Sequence, residues 1–304
     1  MLDFLNNLFG KKEKQPEKAP AGDNVVTAPL SETQLQSIKS MASSRFEPAQ
    51  FLVASAQSVG RQRELNEDSL FTLTSTIAGN SSNPPFGLFI IADGMGGHQY
   101  GEVASNAAIR SISGYVMKKF HNSLFNMPAT PIDESLQEII QTAVMEAQAA
   151  VLREAAGSGT TVTAALVVGQ QLTIAHVGDT RAYLLYNEHR MEAATRDHSL
   201  VRRLEELGQI TSAEAAVHPQ RNVLYRALGQ GETLEPDVVT TPFPLGGYLM
   251  LCSDGMWGVV SEDDMCRIIY EAPNMQTACQ NLVAAANAAG GPDNISVVLV
   301  QLLS

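Results

Sequence analysis

Cysteine, basic charge and long apolar runs are all scarce in this chain, and each shortage excludes a class of protein. Its three cysteines, Cys252, Cys266 and Cys279, are an odd number without a CxxC pair. That pattern argues against a disulfide framework or structural zinc and fits a reducing cytosol. The net charge of −12, with no basic stripe, argues against nucleic-acid binding. No run reaches transmembrane length and no signal-peptide pattern opens the chain, so we expect a cytoplasmic protein without a membrane span.

The first 50 residues differ in composition from the remainder. Residues 1–9 could form a short amphipathic helix, and residues 11–24 are rich in Lys, Glu and Pro, which is typical of a solvated linker. We predict a flexible tail over residues 1–50, either plainly disordered or carrying a docking peptide. One folded domain should occupy residues 51–304, because 44% hydrophobic residues can supply a large core.

Apolar runs predict strands throughout this domain. Residues 51–58 and 69–75 should pair as a hairpin around a polar loop. A meander of three strands is expected over residues 162–168, 171–177 and 181–186. Helices are predicted over residues 103–120 and from Thr130 to about residue 156. Runs of strands with paired helices inserted favour an α+β fold, in which two antiparallel sheets form a sandwich flanked by helices.

Carboxylates recur at the ends of buried strands. Asp93 and Asp254 each follow an apolar strand, and Asp293 precedes the last one. If that strand is antiparallel to the others, all three meet at one end of the sheets, where Asp68 and its neighbour Glu67 also belong. Converging acids repel one another unless cations lie among them. Oxygen donors alone select Mg²⁺ or Mn²⁺ over zinc, with Ca²⁺ a weaker alternative.

Two hard cations bridged by a carboxylate suit one reaction, the activation of water for in-line attack on a phosphoryl group. A site of this kind also needs a positive group for the phosphate oxygens. Arg63 lies in the acidic loop before the second strand, and a guanidinium fork matches phosphate geometry. An exposed surface arginine is the alternative interpretation.

Seven short motifs, in chain order, extend this prediction. They are RELNED (63–68), DGMGGH (93–98), GTT (159–161), VGDTR (177–181), DHS (197–199), SDG (253–255) and GPDN (291–294). With them the chain resembles the bacterial branch of the metal-dependent serine/threonine protein phosphatases, the protein phosphatase 2C type. The resemblance covers residues 51–304. It implies a two-sheet sandwich with outer helices and a cleft at one end that holds two, and in bacterial members often three, Mn²⁺ or Mg²⁺ ions.

The resemblance also implies roles for the two-metal centre. Asp93 would bridge the two ions and act in catalysis, and the Gly94 carbonyl would contact one of them. Asp254 and Asp293 would hold the other.

Further positions follow from the same resemblance. Glu67 and Asp68 would support the metals directly or through water, and which of the two is the inner ligand stays open. Arg63 would hold the substrate phosphate as a catalytic residue. Asp179 stands at the position of a third metal.

One position departs from the animal members of the family, which carry a histidine general acid directly after the Asp-Gly pair. Met95 stands there, as is usual in the bacterial branch. His98 is a candidate acid nearby, although a structural hydrogen bond is the alternative role for it. Water at the metal centre could serve as the acid instead.

Two classes of function are therefore in view. The first is an active phosphatase of phosphoserine and phosphothreonine, acting as a monomer on proteins phosphorylated by a serine/threonine kinase. The second is a catalytically silent relative that docks or senses a partner, and such a relative usually lacks metal ligands. Because Asp93, Asp254 and Asp293 are all present, we expect an enzyme. Hydrolysis of small phosphoesters is a third alternative.

Overall fold

A computed structural model describes residues 48–78, 84–96, 100–126, 132–231 and 234–304. Nearly all of the predicted tail lies outside these residues, so the boundary between tail and domain stays a prediction. His98 also lies outside them. Within the described parts of the chain, no helix combines the length and the apolar character that crossing a membrane requires.

Two antiparallel sheets form the centre of the fold. In spatial order, the first contains β1 (Gln50–Ser58), β11 (Ile295–Leu303), β10 (Tyr248–Cys252), β7 (Arg181–Tyr186) and β8 (Arg190–Ala193). The second contains β2 (Asp68–Ser75), β3 (Phe86–Met95), β5 (Val162–Val168), β6 (Gln171–Val177) and β9 (Asp237–Pro242), with β4 (Gly159–Thr160) paired to the end of β3.

Helices cover the outer face of each sheet. On the second sheet these are α1 (Gly101–Phe125) and α2 (Leu136–Glu154), and on the first they are α6 (Glu262–Glu271) and α7 (Met275–Ala288). Three short helices complete the described elements: α3 (Leu200–Glu206), α4 (Ser212–Ala216) and α5 (Asp254–Trp257). The layers run helix, sheet, sheet, helix, and the predicted α+β sandwich is confirmed.

The side chains of β3 show how one strand serves two apolar layers. Phe89 and Ile91 lie in the core between the sheets, whereas Leu88 and Ile90 pack against the helices on the second sheet. Successive side chains of a strand point to opposite faces, and both faces of β3 are covered. This explains the nearly continuous apolar run in its sequence.

The predicted hairpin and the last step of the meander are wrong. β1 pairs with β11 and β2 with β3, so residues 59–67 cross from one sheet to the other. The turn at Asp179 does the same, because β6 pairs with β5 while β7 pairs with β10. Hydrogen bonds from the Arg61 and Gln62 amides to the Gly291 carbonyl, at 2.8 and 3.2 Å, hold the first crossing against the start of β11.

The second long helix begins later than the sequence suggests. Thr130 lies outside the described residues, and residues 132–134 are not helical. Ser135 caps α2 instead. Its hydroxyl accepts the Glu138 amide hydrogen at 3.2 Å, and the Glu138 carboxylate accepts the Ser135 amide hydrogen at 2.9 Å. This reciprocal pair satisfies two amides that the first turn leaves free.

Candidate active site

The predicted carboxylates converge at the end of the sheets where β3 and β10 finish and β2 and β11 begin. Asp68 lies opposite Asp93 in the β2–β3 register. Asp254 starts α5 directly after β10, and Asp293 precedes β11. Because β10 and β11 are antiparallel, these two carboxylates reach the same end, as the sequence predicted. Asp179 lies in the turn between β6 and β7.

Asp93 lies inside a strand and not directly after its end, where the sequence analysis predicts it. β3 continues to Met95 because β4 pairs with its last residues. The Asp93 amide donates to the Thr161 hydroxyl at 3.0 Å, and the Asp93 carbonyl accepts the Thr161 amide at 2.8 Å and the Thr160 hydroxyl at 2.9 Å. The backbone of Asp93 is therefore fixed on both sides.

Gly94 permits a close approach between β3 and the start of α1. A Cβ at position 94 would lie 2.1 Å from the Gly101 carbonyl oxygen, a distance that no side chain tolerates. The Gly94 amide donates to the Glu67 carbonyl at 3.2 Å. Glycine is thus required here for packing rather than for a sharp turn.

One oxygen of Asp68 is held and the other is free. The hydroxyls of Ser253 and Ser296 both donate to Oδ2 at 2.7 Å. Oδ1 is buried and has no hydrogen-bond partner among the described residues. Burial raises the pKa of Asp68 to about 7, against the two serine bonds that lower it. An orphaned buried carboxylate oxygen is costly and is well suited to bind a cation.

The pKa values of the neighbouring aspartates are raised for the same reasons. Burial, followed by the charges of the surrounding carboxylates, raises the pKa values of Asp93 and Asp179 well above their usual range. Burial and then the charge of Asp293 raise the pKa of Asp254 to about 6. Within the described part of the chain, Asp254 Oδ1 also has no hydrogen-bond partner. Like charges this close need a counter-charge.

Arg63 lies at the edge of the cluster. Its Nη2 donates to Asp293 Oδ2 at 2.8 Å, and its Nη1 lies 4.0 Å from Glu67 Oε2. Because the Arg63 side chain is 47% exposed, its remaining N–H groups can reach a ligand. Burial raises the pKa of Glu67, and the charge of Arg63 opposes that shift.

The residues present fit hard cations. The donors are oxygens only, two of them are buried without partners, and the carboxylates raise one another's pKa values. Across the described residues, no three His, Cys, Asp or Glu side chains form a metal site by themselves. Mg²⁺ typically keeps several water ligands and needs only one or two carboxylates. A site without three clustered protein ligands is therefore consistent with such ions.

An aromatic residue holds the turn that carries Asp179. The Trp257 indole N–H donates to the Asp179 carbonyl at 2.9 Å. The Arg181 guanidinium lies 3.6 Å from the Trp257 ring centroid and makes two bonds to Asp197, at 2.9 and 2.7 Å. This cluster fixes the buried Asp179 turn beside α5. It also lines an open cavity of about 830 Å³ that reaches Arg63 and Asp254.

Sequence reasoning missed the residues that hold the carboxylates. Ser253, Thr161 and Asn294 stood inside recognised motifs without an assigned role, and Ser296 stood outside them. The motifs mark Ser253, Thr161 and Asn294 as worth inspection. Nothing local in the sequence shows that Ser253 and Ser296, from different elements, both reach Asp68.

A family model for protein phosphatase 2C matches residues 53–295. The chain belongs to the protein phosphatase 2C family. The serine/threonine phosphatase stp of Listeria monocytogenes is 37% identical over 242 residues, which is 80% of this chain and 92% of that protein.

Solved structures of family members agree with this assignment. The serine/threonine phosphatase PstP/Ppp of Mycobacterium tuberculosis has a TM-score of 0.67 at 32% identity and covers 84% of this chain and 100% of its own. A PstP catalytic domain in complex with two manganese ions has a TM-score of 0.67 at 30% identity, with the same two coverages. The predicted family, fold class, metal-dependent serine/threonine phosphatase activity and Mn²⁺ or Mg²⁺ cofactor are confirmed. The individual ligand assignments stay predictions.

Proposed function

We propose that this phosphatase hydrolyses phosphoserine and phosphothreonine in proteins, with the carboxylate cluster as its metal centre. The observation that carries the proposal is the pair of orphaned buried oxygens on Asp68 and Asp254, in a cluster whose edge presents Arg63. Asp93 would lie between the two ions with the Gly94 carbonyl beside it. Asp254 and Asp293 would complete one side, Asp68 and Glu67 the other, and Asp179 would serve a third ion.

The residues divide the work of the reaction. When bound, the metal ions supply a water nucleophile of lowered pKa and neutralise the phosphate charge. Arg63 orients the phosphate through the N–H groups that its bond to Asp293 leaves free. Ser253 and Ser296 hold Asp68 so that Oδ1 faces away from both hydroxyls. Ordering these groups before substrate arrives contributes to catalysis by positioning.

Substrate source, oligomeric state and location belong to the same proposal. Phosphoserine and phosphothreonine in proteins arise by kinase action, so the substrates are products of a serine/threonine kinase. All proposed ligands come from one chain, which supports a monomer as the active unit. The three cysteines are free and buried, which supports a reducing compartment, the cytosol.

Chelation tests the proposed function. Activity on a phosphoserine or phosphothreonine peptide should vanish in EDTA and return with Mn²⁺ or Mg²⁺, because the donor set is oxygen only. Treatment of the folded enzyme with iodoacetamide should leave the rate unchanged, since all three thiols are buried and burial raises their pKa values. Full activity in EDTA would exclude a metal-dependent mechanism, and a rate abolished by alkylation would show that at least one thiol is accessible and needed for activity.

Replacing Arg63 by alanine should lower kcat/KM for a phosphopeptide by about tenfold to hundredfold, the effect of losing charge-assisted bonds to phosphate. Calorimetric titration should show Mn²⁺ affinity equal to wild type or tighter. In the wild-type protein Arg63 bonds Asp293 and competes with a metal ion for it, and the variant lacks that competitor. Arg61→Ala is the matched control. Its side chain is exposed in the same loop and pairs with no described carboxylate. Loss of metal binding in Arg63→Ala would contradict the role given to it.

A further inference from the structure

A buried amide side chain connects the loop of Arg63 to the residues just before β11. Asn294 is 3% exposed. Its Oδ1 accepts the Glu67 amide hydrogen at 2.8 Å, and its Nδ2 donates to the carbonyls of Val59 and Leu65, both at 2.8 Å. All three bonds reach the segment of residues 59–67, and they bracket Arg63 on both sides.

The other hydrogen bonds to the backbone of this segment fall at its ends, where the Glu67 carbonyl accepts the Gly94 amide at 3.2 Å and the Ser105 hydroxyl at 2.6 Å. Residues 61–65 are exposed, and Leu65 is 68% exposed, so the loop has no apolar anchor. Besides the Asn294 bonds, the Gly291 carbonyl holds the amides of Arg61 and Gln62 on one side of Arg63. On the other side of Arg63, the Leu65 carbonyl and the Glu67 amide are hydrogen-bonded to the Asn294 side chain, which directly precedes β11.

We infer that Asn294 is a positioning residue for the phosphate anchor, and this inference rests on the proposed role of Arg63. Only an amide offers one acceptor and two donors in a plane at this length. Aspartate keeps the acceptor for Glu67 but turns an oxygen toward two carbonyls, and alanine removes all three bonds. The backbone amide of Asn294 donates to Asp293 Oδ1 at 2.8 Å, and a side-chain substitution leaves that bond in place.

The prediction concerns phosphate binding more than metal binding. In Asn294→Ala, the inhibition constant for inorganic phosphate and the KM for a phosphopeptide should each rise about tenfold, because a displaced anchor loses its alignment. Mn²⁺ affinity measured by calorimetry should stay within about twofold of wild type. Asn294→Ser, which keeps one hydroxyl, should lie between alanine and wild type and carries the test if the alanine variant does not fold.

Gln148 offers a matched control. It is another buried amide that pins a loop, with Oε1 accepting the Gly229 amide at 2.7 Å and Nε2 donating to the carbonyls of Gln230 and Gly231 at 3.4 and 3.0 Å. Gln148→Ala should lower the melting temperature comparably and leave the phosphate inhibition constant unchanged. An equal rise in that constant for both variants would reduce Asn294 to a general stabilising residue.

A double mutant separates this inference from the function on which it rests. If Asn294 acts through Arg63, the variant Arg63→Ala/Asn294→Ala should have the same phosphate inhibition constant as Arg63→Ala alone. Additive effects would overturn the inference while the role of Arg63 stands. An unchanged phosphate inhibition constant in Arg63→Ala itself would show that Arg63 does not hold the phosphate, and the inference about Asn294 would then fail as well.

Discussion

Replacing Asp93 by asparagine should lower turnover by several orders of magnitude and leave the fold intact. The backbone bonds of Asp93 to Thr160 and Thr161 do not involve its side chain, and asparagine has nearly the same shape. The substitution removes the Asp93 carboxylate. Burial raises the pKa of that group most, and the charges of Asp68 and Asp254 raise it further. Metal affinity should therefore fall together with the rate, because the nucleophile depends on the bound ions.

Steady-state kinetics on a phosphopeptide and calorimetric titration with Mn²⁺ measure the two effects side by side. Asp264→Asn is the control, since it removes one aspartate charge from an exposed ion pair with Arg267 on α6, away from the cluster. That control should keep normal turnover and metal affinity. Wild-type Mn²⁺ affinity in Asp93→Asn would show that Asp93 does not lie between the ions.

The sequence was sufficient to predict most of the strands but not their partners, and the short strands β4, β8 and β9 were not predicted. Apolar alternation and turn residues fix β5, β6 and β7 at the predicted bounds, because both signals are local. The choice of sheet is not local. Residues 59–67 look like a hairpin loop, and only the pairing of β1 with β11, more than 200 positions away, shows that they cross between sheets. Sheet choice depended on these distant contacts.

The same division holds within the site. Asp254 and Asp293 could be predicted because strand ends of opposite direction bring them together. Asp93 was predicted as a site residue directly after the strand, whereas β3 continues to Met95, because the pairing with β4 is invisible locally. The orientation of Asp68 depends on hydroxyls from two other elements, Ser253 and Ser296, and a single sequence carries no signal for that.

The metal-free phosphatase should lose stability as pH rises through neutrality. Burial raises the pKa of Asp68 from 3.8 to about 7, and those of Asp93 and Asp179 well above 3.8. Near neutral pH the folded state therefore holds protons that the unfolded chain has released, so the free energy of unfolding falls as pH rises. His176 is buried with its pKa lowered to about 4 and opposes this trend, but only below its unfolded pKa of about 6.5.

Thermal melts in EDTA at about pH 6.5 and pH 8 isolate the carboxylates from that histidine. Each proton that only the folded state retains changes stability by about 1.4 kcal/mol per pH unit, so the melting temperature should fall by about 3–6 °C per pH unit. Asp68→Asn should melt higher than wild type at the upper pH, because the buried charge is gone. Mn²⁺ should stabilise wild type more at the upper pH, where the proposed ligands are ionised. A metal-free protein that is more stable at pH 8 would show that the folded state does not raise the pKa values of these carboxylates.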